Sequence, residues 1–366
     1  MERKRPAAIE EIVDRKMKAK VKSENRLVST GITLLNLAMT DNPKGGCLLG
    51  RIVNFVGESS TGKTMIAETI LACAANDPKL EDYKLILDDA EAAHEIDTEY
   101  MFGSAAAERI QAPKYDDDED PVYSETVEQL FANIQRQINE GEPFIYVLDS
   151  LDSLSDESEV KRANEYVEAD DKGKEVSGTY GMGKAKLLSQ MLRTINANLS
   201  TTNSLVIIIS QVRENIGAVG AAPKVRRAGG KALEFYCTHT VWMKKIQTLK
   251  KKVDNDEIVI GNVVEAEVKK NKVTGKVRKI RFNIYYEIGA DDVGASVDFL
   301  ISRGVIEKKG AWLLAEALGY EKKFYRDDLV RAIENDEKYE LLEELVSKEW
   351  ASREEAVSLG RKPRFS

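Results

Sequence analysis

The chain has 366 residues, of which 42% are apolar and 32% are charged, so it is long enough for one large hydrophobic core and a smaller second domain. Its net charge of −8 excludes a general electrostatic attraction to nucleic acid, and its three cysteines and two histidines exclude a disulfide framework and a histidine-built metal centre. The sequence shows neither a signal-peptide pattern nor a membrane-spanning run, so we expect a cytoplasmic protein.

The first predicted element is an amphipathic helix over residues 7–22, which needs a surface to lie on, either its own core or a neighbouring protomer. Short apolar runs then alternate with helical stretches as far as Glu287. The predicted strands are Ile52–Val56, Leu85–Asp88, Phe144–Asp149, Leu205–Ser210 and Val241–Lys244, and the predicted helices are Lys63–Ala75, Glu125–Glu140 and Lys184–Leu199. This alternation predicts an α/β fold whose mostly parallel sheet is covered on both faces.

The last third of the chain has a different pattern. Residues 258–268 and 277–286 alternate between apolar and polar side chains and flank a turn at Thr274-Gly275, which predicts an antiparallel hairpin at the sheet edge. A composition shift at residues 289–294 predicts a linker, followed by a small domain and a loose tail from Ala351. The predicted division is a helix at 1–26, a core at 27–288 and a small α/β domain at 289–366.

A phosphate-binding loop joins the strand at 52–56 to the helix at 63–75. Residues 57–64 match the pattern G-x-x-x-x-G-K-[ST] completely. The two glycines let successive backbone N–H groups turn toward phosphate oxygens, and the helix N-terminus adds further N–H groups. Lys63 can reach the outer phosphates, and the Thr64 hydroxyl can bind Mg²⁺. The predicted triphosphate site is Gly57, Glu58, Ser59, Ser60, Thr61, Gly62, Lys63 and Thr64.

Acidic and amide side chains follow three other predicted strands. Asp149 ends its strand at the sheet edge where ligands of open α/β folds bind, so we expect it to hold Mg²⁺ opposite Thr64. Gln211 follows the strand at 205–210, where an amide can hydrogen-bond a terminal phosphate. Hydrolysis also needs a carboxylate that activates water, and the spacing does not choose among four candidates: Asp88, Asp89, Glu91 and Glu95.

Two glycine-rich segments with basic side chains, at about 156–183 and 212–230, leave the same predicted sheet edge. Loops of this length are uncommon in a compact domain unless they are functional, and basic side chains suit a phosphate backbone. Residues 244–281 carry twelve basic residues against five acidic ones, although a charge run is most often a solvated face. The pattern predicts a nucleic-acid site controlled by the nucleotide.

Short motifs then follow one another in a recognisable order. They are S-T-G at 29–31, G-R-I-V at 50–53, the phosphate loop, D-A-E at 89–91, L-D-S at 148–150, S-Q-M-L-R at 189–193, Q-V-R-E-N-I-G at 211–217, A-G-G-K-A-L-E-F-Y at 228–236, V-K-K-N-K at 268–272 and V-I-E-K-K-G-A-W at 305–312. This order, over nearly the whole chain, resembles the RecA family of strand-exchange recombinases, with a compact bacteriophage version of the UvsX kind as one candidate. The resemblance implies a RecA-type P-loop ATPase core with a short N-terminal helix and a small C-terminal α/β domain.

The resemblance also implies residue roles. Glu91 would activate water, Gln211 would sense the γ-phosphate, and Asp97 and Tyr100 would flank the adenine. Lys270 and Lys272 would reach the neighbouring protomer's ATP. For the other five basic side chains of residues 269–281, two roles stay open: attraction of duplex DNA, or simple solvation. The implied DNA-binding residues are Lys186, Arg193, Arg213, Ile216, Gly229 and Gly230, and the basic side chains of Arg226 and Arg227 in the second segment are predicted to join them.

The predicted function is an ATP- and Mg²⁺-dependent recombinase in the cytoplasm of a bacterium or a phage-infected host. Its expected partners are single- and double-stranded DNA, further copies in a helical filament, a single-strand-binding protein and a loader, and no membrane. The alternatives are another RecA-core ATPase, such as a ring helicase or a regulatory ATPase, and a mediator that uses ATP only for assembly. The first segment is longer and more acidic than the family's, and the second replaces its Phe- and Thr-rich part, so the DNA contacts stay open.

Overall fold

The computed structural model of the protein describes residues 26–170, 183–214, 225–227, 230–357, 359 and 361. The helix predicted at 7–22 lies outside these residues. The helices are α1 (Thr33–Thr40), α2 (Lys63–Ala75), α3 (Thr98–Phe102), α4 (Ser104–Arg109), α5 (Val127–Glu140), α6 (Glu157–Asp170), α7 (Gly183–Thr202), α8 (Gly230–Tyr236), α9 (Asp292–Arg303), α10 (Arg326–Asn335) and α11 (Tyr339–Ala356).

The strands are short except in one long hairpin. They are β1 (Leu27–Val28), β2 (Cys47–Leu48), β3 (Ile52–Gly57), β4 (Lys84–Asp89), β5 (Ile110–Gln111), β6 (Lys114–Tyr115), β7 (Pro121–Val122), β8 (Phe144–Asp149), β9 (Leu205–Glu214), β10 (Val225–Arg227), β11 (His239–Val253), β12 (Asp256–Asn271), β13 (Arg278–Tyr285), β14 (Gly289–Asp291), β15 (Glu307–Lys309), β16 (Trp312–Leu314) and β17 (Lys323–Phe324).

The described strands include a central sheet of ten, with the order β14-β13-β12-β11-β3-β9-β8-β4-β5 and with β10 paired to β9. The strands from β11 to β5 are parallel to their neighbours, whereas β12, β13 and β14 continue the sheet in antiparallel order. The mostly parallel sheet is therefore confirmed. The parallel strands end at a common edge, which is where residues 57, 89, 149 and 211 meet.

Two hydrophobic clusters cover the two faces of this sheet. Alternate residues of β3 enter different clusters, because Ile52 packs with α5 and α7 whereas Val53 and Phe55 pack with α2. Successive side chains of a strand point to opposite faces. Both faces are buried, which explains why these strands read as continuous apolar runs.

The predicted hairpin at 258–268 and 277–286 is confirmed as β12 and β13, which pair from Gly261 with Tyr285 to Val268 with Arg278. Gly275 in its turn has a φ of +73°, a left-handed conformation that glycine adopts without strain. The sequence reading missed the longer hairpin of β11 and β12, whose ends extend to Val253 and Asp256. This part of the hairpin contains lysines 250–252, and its apolar residues Val253 and Ile258 are exposed. The sequence there therefore shows no clear alternation of apolar and polar side chains.

Part of each segment predicted as a loop is regular structure. Residues 157–170 of the first form α6, and α7 begins at Gly183. In the second, Arg226 pairs with Arg213 and Arg227 with Val212, so β9 and β10 form the base of a hairpin, and α8 begins at Gly230. Residues 171–182, 215–224 and 228–229 of these segments lie outside the described ones.

The linker predicted at 289–294 is wrong. Gly289–Asp291 pairs with β13, and α9 begins at once, with the Asp292 carboxylate accepting bonds from the Thr33 backbone N–H (2.6 Å) and hydroxyl (2.8 Å). The loose tail predicted from Ala351 is also wrong as far as Ala356, which ends α11. The polar, glycine-containing composition of residues 289–294 indicated a linker. In the structure, residues 289–291 form backbone hydrogen bonds with β13 at the edge of the sheet.

Arg278 connects α11 to the core, and its removal should be costly. Its side chain is 4% exposed and lies 2.5 Å from Asp41 and 2.6 Å from Glu354, and it donates to the Leu37 carbonyl at 3.1 Å. We expect Arg278→Ala to lower the free energy of unfolding by about 1.5–3 kcal/mol, the usual contribution of hydrogen bonds to charged groups, because Asp41 and Glu354 are partly exposed and also face Lys276. Denaturant unfolding measures this change.

The matched control is Arg281→Ala on the same strand. Arg281 is 63% exposed and pairs with Glu265 at 2.7 Å, and exposed pairs contribute about 1 kcal/mol or less. Equal losses for the two variants would contradict the assignment of Arg278 as a buried connection.

Candidate functional site at the carboxyl edge of the sheet

The phosphate-binding loop lies between β3 and α2, and its backbone leaves no room for side chains at two points. A Cβ on Gly62 would lie 2.1 Å from Ile284 Cδ1, and one on Gly57 would lie 2.6 Å from the Met243 carbonyl oxygen. Gly62 also has a φ of +81° and Ser60 one of +60°. Alternating right- and left-handed backbone conformations point N–H groups into a concave surface that suits an anion.

Lys63 begins α2 and is 7% exposed. Its ammonium donates to the Glu58 carbonyl at 2.7 Å, so the side chain lies across the loop rather than in solvent. Burial lowers the pKa of Lys63, and the charges of Asp149 and Glu91 oppose that effect. A buried ammonium with few compensating bonds favours the approach of an anion such as phosphate.

Thr64 and Asp149 meet across the edge of the sheet, since the Thr64 hydroxyl donates to Asp149 Oδ2 at 2.5 Å. Burial raises the pKa of Asp149 to about 6, with Glu91 adding to the increase and the Thr64 bond and Lys63 opposing it. A hydroxyl and a carboxylate form an all-oxygen donor pair, which Mg²⁺ prefers when substrate phosphates complete its shell. These two residues therefore fit magnesium. The described residues contain no cluster of three or more acidic, histidine or cysteine side chains that could hold a metal by itself.

Among the four acidic candidates for water activation, Glu91 is the one whose side chain bonds Ser150 and Gln211. Its Oε1 accepts from the Ser150 hydroxyl at 2.5 Å and from Gln211 Nε2 at 2.8 Å, while its backbone N–H donates to the Asp149 carbonyl at 3.0 Å. Glu91, Gln211, Asp149 and Thr64 thus form one hydrogen-bonded group at the carboxyl edge of the sheet.

The other three candidates have different surroundings. Asp88 is fully buried and accepts from the Ser124 backbone N–H (2.8 Å) and the Tyr146 hydroxyl (2.5 Å). Asp89 accepts from backbone N–H groups of the loop that follows it. Glu95 is exposed on that loop. The geometry therefore favours Glu91.

Two residues at the edge were missed by the sequence reading. Ser150 bonds Glu91, and Asp152 Oδ2 accepts from the Gln211 backbone N–H at 2.6 Å. Both lie directly after β8. The run L-D-S-L-D-S at 148–153 was the available signal, because polar residues that follow a buried strand tend to reach the ligand edge.

Beside the loop is a cavity of about 330 Å³. Its described lining consists of Ser60, Thr61, Gly62, Lys63, Thr64, Met65, Ile96, Asn262, Val264, Ile284 and Tyr286. Neither Asp97 nor Tyr100 is in this lining; the Asp97 carboxylate instead accepts from the Tyr100 backbone N–H at 3.0 Å, and Tyr100 is 70% exposed. Asn262 is buried, and its Oδ1 has no hydrogen-bond partner among the described residues.

The described residues among those predicted to contact DNA lie on α7, β9, β10 and the start of α8. Lys186 and Arg193 are both exposed on α7, seven residues apart in sequence and therefore about two helical turns apart on one side. Arg213 follows Gln211 on β9 by two residues and pairs with Arg226. Arg227 is also on β10, and Gly230 begins α8, whereas Ile216 and Gly229 lie outside the described residues.

Lys270 and Lys272 are at the end of β12 and contact the end of α8 within the same chain. Lys270 Nζ donates to the carbonyl oxygens of Glu234 and, at 3.2 Å, Phe235. Lys272 Nζ donates to the Phe235 carbonyl at 2.9 Å. Cations near the C-terminal carbonyls of a helix are favourable. Phe235 itself is 70% exposed, so this corner is open to another molecule.

No helix among the described residues combines the length and apolarity needed to cross a bilayer.

A family model, the RecA N-terminal domain, matches residues 8–291. Protein RecA of Sulfurovum sp. (strain NBC37-1) is 31% identical over 299 residues, which cover 81% of this chain and 76% of that protein. Protein RecA of Arthrobacter sp. (strain FB24) is 30% identical over 317 residues, with coverages of 84% and 80%. Protein RecA of Paracoccus denitrificans is 30% identical over 324 residues, with coverages of 86% and 81%. The chain therefore belongs to the RecA family.

Proposed function

We propose that this chain is an ATP-dependent recombinase that forms helical filaments on single-stranded DNA and pairs that strand with homologous duplex DNA. The observation that carries the proposal is the bond from Gln211 Nε2 to Glu91 at 2.8 Å. Gln211 is two residues before Arg213 on the same strand, at the base of the β9–β10 hairpin. A movement of the Gln211 side chain or backbone on nucleotide binding would therefore act on a strand whose hairpin pairing begins one or two residues later.

ATP and Mg²⁺ are the proposed cofactors. Residues 57–64 would enclose the phosphates, Thr64 and Asp149 would hold Mg²⁺, and the bound ion would neutralise phosphate charge. Glu91 would orient and deprotonate the attacking water from the end of β4. Lys63 and Gln211 would contact the terminal phosphate, and each can stabilise the charge that develops on it.

The cavity beside the loop is the proposed nucleobase site. Tyr286 and Ile96 would cover the base with apolar surface, and buried Asn262 would supply a hydrogen bond. Asp97 and Tyr100 remain proposed adenine neighbours on the outer side of α3. Their exposure in a single chain is compatible with a site that a second protomer completes.

DNA would bind along α7 and the β9–β10 hairpin. Lys186, Arg193, Arg213, Arg226 and Arg227 are the proposed phosphate contacts, which would make the affinity fall with salt. Ile216 would insert between bases, and the backbone at Gly229 and Gly230 would approach the strand closely. ATP binding would favour the state that holds DNA, and DNA would in turn favour ATP, because linkage is reciprocal.

The test uses the full chain with ATP, Mg²⁺ and a single-stranded oligonucleotide. We expect helical filaments in electron micrographs and hydrolysis that DNA accelerates. Closed six-membered rings would favour a ring helicase. DNA binding without any effect of Glu91→Gln on function would favour a mediator that uses ATP only for assembly. A monomer that ignores DNA at saturating Mg·ATP would refute the proposal.

We further propose that Lys270 and Lys272 contact ATP bound to the adjacent protomer. Their contacts with α8 within one chain offer a second explanation for any loss of activity, since these bonds could simply support the hairpin. Mixing two inactive variants separates the two roles. Lys270→Ala/Lys272→Ala lacks the contacting side chains but keeps an intact phosphate loop. Lys63→Ala keeps both lysines but has a defective phosphate loop.

If the lysines act across the interface, the mixture should recover DNA-stimulated hydrolysis, because some head-to-tail neighbours combine an intact loop with intact lysines. Each variant alone should remain inactive. If the lysines act only within their own chain, mixing should restore nothing. Full turnover by Lys270→Ala alone would show that Lys270 is not needed at the interface.

A further inference from the structure

The loop between β4 and α3, residues 90–97, carries Glu91 near its start and Asp97 at its end. Half of its residues are exposed, including Ala92, Ala93 and Glu95, and none of them is fully buried. A loop with so few buried side chains cannot be positioned by packing alone. Because Glu91 must point at the attacking water, the contacts that hold this loop decide how well it performs.

Two residues outside the loop, Asp89 and Glu68, hold its part beyond Glu91. Asp89 Oδ2 accepts from the backbone N–H groups of Ala93 at 3.1 Å and His94 at 3.0 Å. The His94 side chain then extends inward, and its Nε2 lies 3.1 Å from Glu68 Oε2. His94 is therefore the residue through which the middle of the loop contacts α2.

Glu68 is an unusual partner. It lies on α2 one helical turn after Thr64 and is 1% exposed, and its Oε1 has no hydrogen-bond partner among the described residues. A carboxylate buried to this degree is strongly destabilising unless a cation or donor faces it. Its other oxygen, Oε2, contacts His94, so this bond joins α2 to the loop.

We propose that His94 is a positioning residue for ATP hydrolysis, which through its bond to Glu68 holds the Glu91 loop against the helix that carries Lys63 and Thr64. This inference rests on the proposed ATPase function. His94 touches neither the nucleotide site nor Glu91, so its effect is on placement. Asp89 holds the backbone of the loop at residues 93–94, and Glu68 holds the His94 side chain. Together they set the distance between the Glu91 carboxylate and the phosphate loop.

The pair is also sensitive to pH. The bond to Glu68 raises the pKa of His94, burial opposes this, and the charges of Asp89 on β4 and Asp149 on β8 add to the increase. Because folding raises this pKa above its ordinary value of 6.5, the pair contributes fully below that value, and its contribution is lost as pH rises through the raised pKa. We therefore expect the kcat of the wild type to contain an alkaline limb.

The experiment measures DNA-stimulated hydrolysis between pH 6 and 9 for His94→Ala, His94→Gln and the exposed neighbour control Glu95→Ala. His94→Ala should lower kcat by about tenfold, within the ~100-fold that a 1 Å misplacement can cause, with KM changed by less than about twofold. His94→Gln keeps a donor of similar reach and no titrating charge, so it should recover part of kcat and lose the alkaline limb. Glu95→Ala should match the wild type.

Glu68→Gln tests the partner. Its effect on kcat should not add to that of His94→Ala, because both remove one interaction, and it should lower the pKa of His94 measured by NMR. Equal kcat and an unchanged pH profile for His94→Ala and wild type would overturn the inference while leaving the ATPase proposal intact. A wild type without ATP hydrolysis would overturn both. A rise in KM with constant kcat would assign His94 to nucleotide binding instead.

Discussion

Replacing Glu91 with glutamine should lower kcat for ATP hydrolysis by about 10²–10⁴-fold, the usual contribution of a positioned general base. Glutamine keeps the size of the side chain and can still accept from Ser150 or Gln211, whose bonds to Glu91 are 2.5 and 2.8 Å long. It cannot accept the proton of the attacking water. Nucleotide binding should therefore survive, and filaments should persist longer because ATP is not consumed.

The matched control is Glu95→Gln, which makes the same change four residues later on an exposed part of the same loop. It should leave kcat within about twofold of wild type, since surface substitutions rarely matter. Steady-state hydrolysis with DNA and equilibrium binding of a fluorescent ATP analogue separate turnover from affinity. If Glu91→Gln retained wild-type kcat while a variant at Asp89 lost it, the assignment of the base would be wrong.

Replacing Gly62 with alanine should abolish useful nucleotide binding. Gly62 has a φ of +81°, and an added Cβ would lie 2.1 Å from Ile284 Cδ1. The left-handed conformation costs alanine about 1–2 kcal/mol, and overpacking adds about 1–3 kcal/mol. The loop or the end of the Ile284 side chain must shift to relieve this clash, and each 1.4 kcal/mol lost from binding is about tenfold in affinity. Calorimetric titration with Mg·ATP measures the loss.

Two variants separate the clash from the backbone cost. Gly275→Ala places alanine at a φ of +73° with no atom within 4 Å of the new Cβ, so it should lower stability but leave nucleotide affinity unchanged. Ile284→Val removes the Cδ1 atom, and the next contact of the added Cβ is 3.6 Å away. The double variant Gly62→Ala/Ile284→Val should therefore recover part of the affinity. Wild-type binding by Gly62→Ala alone would refute the close-approach argument.

The local patterns predicted much of the core. Helix Lys63–Ala75 and strand Phe144–Asp149 have the predicted bounds, because a phosphate-loop pattern determines where its helix begins and a fully apolar run bounded by charge determines a buried strand. Other strands were found but extend further, as β9 and β11 do. Cross-strand pairing lengthened them, and that pairing is not visible in either strand alone.

The errors share one cause. Residues 289–294 and 351–356 were predicted as linker and tail because their composition is polar, yet the first pairs with β13 and the second continues α11, whose Glu354 faces Arg278 at 2.6 Å. The composition of a segment indicates only whether it would be ordered in isolation. Hydrogen bonds and ion pairs from residues distant in sequence can order a polar segment all the same.

By itself, the sequence determined the phosphate loop, the acid that ends β8 and the parallel character of the sheet, because consecutive residues encode backbone geometry and the alternation of apolar side chains. Only the tertiary structure decided which of four acids joins Gln211 and Ser150, that β12 and β13 line the cavity beside the loop, and that His94 meets Glu68. His94 and Glu68 are 26 residues apart in the sequence, and the phosphate loop is more than 190 residues away from β12 and β13. Their proximity depends on strand order and register, which arise from the packing of the whole sheet.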